Sequence, residues 1–117
     1  MTAEERQFLK TAAWMFARHG QRARALAVCE ALVEDEPRDG SAALALSELL
    51  LGEGGKDGAS RAIAVLRTAD IPESLVHAGA VLETRALKLA GRDREAASRW
   101  NRYVEARKGA GRKWLAK

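Results

Sequence analysis

The chain has 117 residues, 47% of them hydrophobic and 31% charged, and a formal net charge of +4. That length gives one domain with room for a core, and that composition excludes a disordered chain. With no apolar run of about eighteen residues, it also excludes direct membrane insertion.

The single cysteine, Cys29, has no internal disulfide partner and fits a reducing cytoplasm. The charged start, MTAEERQFLK, lacks the apolar stretch of a secretion leader. Residues 1–90 carry 11 basic and 13 acidic side chains, a net of −2, whereas residues 91–117 carry 9 and 3, a net of +6. The positive end is read as a solvated helix face and a basic tail. No aromatic ladder or nucleic-acid motif accompanies it, so no nucleic-acid partner is expected.

Thr2-x2-Glu5 is a capping box, and it predicts a first helix over about 3–18. Gly20 then suits a left-handed exit from that helix. A second helix is expected over about 22–35, closed by Pro37, which has no backbone donor and disfavours helix in the residue before it. Further helices are expected over about 41–52, 58–69, 74–90 and 93–108. GEGGKDG, residues 52–58, reads as a loose loop, since it lacks the spacing of a phosphate-binding loop. Gly109-Ala110-Gly111 is expected to break the last helix, leaving 109–117 as a basic flexible tail in which Trp114 and Leu115 are the apolar residues.

The landmarks recur. Gly20-x4-Ala25 returns as Gly54-x4-Ala59 and as Gly91-x4-Ala96. Four residues after each alanine stand Cys29, Ile63 and Trp100, and Pro37 and Pro72 close the first two units. The alanines would let helix axes approach closely, with the larger residues filling space beside them.

This pattern resembles the tetratricopeptide repeat. The resemblance implies an all-α fold: three helix–turn–helix repeats, about 6–39, 40–73 and 75–108, forming a short right-handed solenoid. The third repeat departs from the motif, with Glu83 and Thr84 where Leu-Gly is usual. No metal or cofactor site is expected, because His19 and His77 lie far apart and Cys29 stands alone as a core filler. No hydrolase or dinucleotide fingerprint is present, so the chain reads as a binding protein, not an enzyme.

In such a solenoid the first helix of each repeat lines the concave face. Counting back from each turn glycine predicts the partner-binding residues. They are Trp14, Glu48 and Arg85 six back, and Lys10, Leu44 and Val81 ten back. Leu51 and Lys88 lie three back, and Arg18 and Leu89 lie two back.

The chain also resembles the small type III secretion chaperones of the YscY (SctY) kind. The likeness rests on Arg6, Gln7, Phe8, Leu9, Trp14, Gly20, Ala25, Leu32 and Pro37, and later on Leu89, Gly91, Ala96, Tyr103 and Glu105. Residues 52–76 match poorly. The resemblance implies a cytoplasmic, non-enzymatic chaperone that pairs with one small secreted injectisome subunit of the YscX (SctX) type. It also implies that the heterodimer then engages the export gate in the inner membrane. Two alternatives stay open: a needle-subunit chaperone of the same systems, or a general adaptor that clamps a peptide carboxylate.

Overall fold

Thr2 starts the first helix as its capping box predicts. Its hydroxyl accepts from the Glu5 amide at 3.1 Å, and its own amide donates to the Glu5 carboxylate at 3.2 Å. The computed structural model describes the backbone of residues 1–115 and the side chains of residues 1–111. Among them lie six α-helices: α1 (Ala3–Arg18), α2 (Arg22–Asp35), α3 (Gly40–Glu53), α4 (Gly55–Thr68), α5 (Val76–Leu89) and α6 (Asp93–Leu115). A single 3₁₀ turn, Glu73–Leu75, leads into α5.

Successive helices pair as α1 with α2, α3 with α4, and α5 with α6, and the pairs touch through α2–α3 and α4–α5. The first and third turns share one hydrogen-bond pattern. Gln21 donates to the Phe16 carbonyl and Arg92 to the Leu87 carbonyl, each at 2.8 Å, across a glycine at positive φ. That is the Schellman closure, which satisfies carbonyls the helix leaves open. The second turn is tighter, with both Gly54 and Gly55 at positive φ. In consequence α4 starts at Gly55, and most of GEGGKDG is helical where a loop was expected.

Ala25, Ala59 and Ala96 are all fully buried, and Cys29 and Ile63 fill the space beside the first two. Trp100 is only half-buried, and among the described residues no helix packs on α6 as α3 packs on α2. Replacing Ala25, Ala59 or Ala96 with Leu should each cost about 1–3 kcal/mol by overpacking. Chemical denaturation checks this, and an unchanged midpoint at any of the three would place that alanine outside a helix crossing.

α3 is the central helix, packed against α2, α4 and α5. Its sequence, GSAALALSELLLGE, is largely apolar, and up to Gly52 the helix buries all but a narrow exposed stripe of Ser41, Ala45, Glu48 and Gly52. Leu44 and Leu51, expected on the open face, are therefore core residues. Gly79 of α5 leaves room for Ile71, whose Cγ2 would stand 3.3 Å from an added Cβ, while Leu44 of α3 would lie at an ordinary contact distance of 4.0 Å.

Glu83, the departure from the repeat motif, is buried and useful. It accepts from Arg67 of α4 at 3.1 Å and from Arg99 of α6 at 2.8 Å, so it ties three helices together. The expected break at Gly109–Gly111 does not occur, and α6 continues to Leu115. Two glycines cost about 1 kcal/mol each in a helix, and the surrounding Ala, Arg, Lys and Leu residues are strong helix formers. The side chains of the expected tail's two apolar residues, Trp114 and Leu115, lie outside the described side chains, and residues 116–117 lie outside the described chain.

Candidate functional site

A groove of about 440 Å³ opens between α1 and α3, with α2 as its floor. Lys10, Trp14, Ala17 and Arg18 form one wall, Ser41, Ala45 and Glu48 the other, and Cys29 and Leu32 lie beneath. The fold explains this opening: α1 and α3 both pack on α2 but barely touch each other.

Trp14 is 57% exposed, an unusual state for so large an apolar ring. The Arg18 guanidinium lies 4.8 Å from its ring centroid, a cation–π contact that holds the indole on the groove wall. Phe16, two residues on, packs against the core instead.

One end of the groove is closed by charge. Asp39 caps α3 by accepting from the Ala42 amide, and its carboxylate also takes Arg6 at 2.6 Å and Lys10 at 2.8 Å. Arg6 reaches on to Asp35 at 2.7 Å and to the Leu32 carbonyl at 3.2 Å, so it joins α1 to α2 and α3. Ser41 accepts from Lys10 at 2.9 Å and donates to Asp39 at 3.1 Å. Burial by itself would raise the Asp39 pKa. The hydrogen bonds from Arg6, Lys10, the Ala42 amide and Ser41 outweigh it and hold the carboxyl far below the usual range.

Because the folded pKa is depressed, Asp39 stabilises the fold fully above the unfolded carboxylate range near pH 4. That contribution is lost as pH falls further, towards the folded value. Thermal melts between about pH 6 and pH 2.5 should show the loss, and Asp39→Asn should flatten the acid limb. An equally steep limb in the variant would assign acid sensitivity to other carboxylates.

Lys10, Trp14, Arg18 and Glu48 thus all line this one groove, with Lys10 committed to Asp39. Val81, Arg85 and Lys88 lie elsewhere, on a second cavity of about 500 Å³ between α5 and α6. Leu89 is exposed and lines neither cavity. The two groups are separated because α3 and α5 touch directly, closing the face that a uniform spacing would leave open.

Sequence reasoning missed Arg6, Asp39 and Ser41 at the closed end. The signal was present in Asp39-Gly40-Ser41 after Pro37, an N-cap acid at a helix start. Cys29 lies buried at the groove floor, and burial pushes its thiol pKa up, which makes a thiolate nucleophile unfavourable there. Among the described residues no cluster of His, Cys, Asp and Glu is arranged to hold a metal ion, and no helix is long and apolar enough to cross a membrane. No protein-family model matches the chain, and neither does any curated protein or solved structure.

Proposed function

We propose that this protein is a helical-repeat chaperone that holds an amphipathic helix of a partner protein in the α1–α3 groove. In this reading the three helix pairs are tetratricopeptide-like repeats stacked as a short right-handed solenoid. The radius of gyration supports stacking: it is 15.4 Å, against about 13 Å for a compact chain of this length. The observation that carries the binding role is Trp14, a large ring held open on the wall of an apolar-floored groove.

The partner class comes from the resemblance to type III secretion chaperones of the YscY kind. Two of the residues that carry that resemblance, Trp14 and Leu32, line the groove. The proposed cargo is a small secreted subunit of the YscX type, bound as a heterodimer in the bacterial cytoplasm and passed to the inner-membrane export gate. The role is non-enzymatic. The carboxylate-clamp alternative loses support, since Lys10 is already paired with Asp39.

Titration calorimetry of the chain against such a subunit tests the proposal. The expected result is a 1:1 complex and a melting temperature that rises with subunit concentration by mass action. A stable monomer that gives neither heat nor a thermal shift would overturn the chaperone reading.

A further inference from the structure

We propose that the open face of the third helix pair is a second docking slot, which takes one apolar helix with acidic flanks from a partner protein. The inference goes beyond the Trp14 groove and does not depend on it.

The argument starts from register. The first and third turns share the same closure, so positions 71 apart correspond (91 − 20). Cys29 and Leu32 of α2 then correspond to Trp100 and Tyr103 of α6. Cys29 is 2% exposed and Leu32 1% exposed in a chain where α3 packs on α2. Trp100 and Tyr103 are only half-buried, and beside Trp100 a cavity of about 500 Å³ remains. The third pair therefore presents the surface that α3 covers on the first pair, and among the described residues no helix lies on it. In a stacked array such a face is completed by one more helix.

The chemistry of the occupant follows from the rim. Arg85 and Lys88 line the slot from α5, and no carboxylate lines it. At the His77 end, Arg107 donates to the Tyr103 hydroxyl at 3.0 Å, and His77 stands 2.8 Å from the same oxygen. His77 occupies the place of Arg6, which on the first pair receives the N-cap acid of the incoming helix, Asp39. The helix that fills the first slot is itself acidic: residues 39–53 contain Asp39, Glu48 and Glu53 and no basic side chain. A partner helix with an acid at its start and further acids beside its apolar seam matches both ends of the slot.

A second copy of this chain fits less well. Its one uncovered leading helix is α1, and Phe8 there corresponds to Ala42 of α3 and Gly79 of α5. Both are small and buried where their helices approach a neighbour, whereas Phe8 is 72% exposed and far larger.

The probe is a fluorescein-labelled, helix-stabilised peptide with the sequence of residues 39–53, compared with one carrying Lys in place of its three acids. Fluorescence anisotropy on the full chain should show binding of the acidic peptide, weakened by salt, and at least about tenfold weaker binding of the basic one. Arg85→Glu with Lys88→Glu should reduce acidic-peptide binding by at least about tenfold and favour the basic peptide. Trp100→Ala should also weaken it, while Trp14→Ala should leave it unchanged. Arg85 and Lys88 are exposed, so their variants report binding without a folding defect. Equal binding of both peptides, no binding of either, or loss with Trp14→Ala alone would overturn the slot. Self-association of the chain that Lys88→Glu abolishes would overturn the choice of occupant.

Discussion

Trp14→Ala should weaken binding of the cargo subunit by about 2 kcal/mol or more, roughly thirtyfold, with little change in the melt of the free chain. The indole is more than half exposed, so its removal leaves no cavity in the free protein. Its removal also releases Arg18 into water, where that side chain is readily solvated. Phe16→Ala should do the reverse. That ring packs against the core, and truncating it should cost up to about 3 kcal/mol of stability. Binding by the folded fraction should then be nearly unchanged. Calorimetry and thermal melts on both variants separate the roles. If Trp14→Ala unfolds the chain while binding by the folded fraction persists, the groove is on the wrong face.

The second large effect concerns Gly40. A Cβ there would stand 2.3 Å from the Asp70 carbonyl oxygen and 2.7 Å from the Pro72 ring. The first is backbone, fixed by the Asp70 amide donating to the Arg38 carbonyl at 2.9 Å, so neither neighbour can turn aside. Gly40→Ala should therefore cost about 1–3 kcal/mol or more, although alanine is the better helix former. Gly109→Ala and Gly111→Ala make the opposite control. Both lie in α6 with nothing within 4 Å of the added carbon, and each should stabilise the helix by about 0.5–1 kcal/mol. Denaturant midpoints of the three variants decide it. A harmless Gly40→Ala would mean that the segment after α4 does not rest on the start of α3.

Much of this was legible in the chain. Thr2 and Glu5 announced the first cap, and Ala25, Ala59 and Ala96 announced three close crossings, because small residues at a fixed offset from a turn have one use in helix packing. Trp14 was legible for a similar reason: the core beside it was already supplied. Leu44 and Leu51 were misplaced because counting back from a glycine treats every pair as equivalent. The largely apolar circumference of α3, left open only along Ser41, Ala45, Glu48 and Gly52, shows that this helix has neighbours on both sides. Val81, Arg85 and Lys88 fell on a separate surface because α3 and α5 touch directly, a contact that counting back from the turn glycines does not register. The run of α6 through Gly109 and Gly111 is hidden because two close glycines signal a break locally, whereas the strong helix formers around them, Arg107, Lys108 and Ala110 among them, offset that cost.

The central position of α3 has a kinetic consequence. Neither the first pair nor the third can complete its interior without it, so the three pairs should not melt one after another. Unfolding should instead be a single event, with α3 the last segment to open. Amide hydrogens of Leu46, Leu49 and Leu50 should exchange only through global unfolding, at a rate set by the whole chain's stability. Those of α1 and the far end of α6 should exchange by local fraying. A helix so placed makes the domain all-or-none, and it gives any ligand that grips either end leverage over the persistence of the whole.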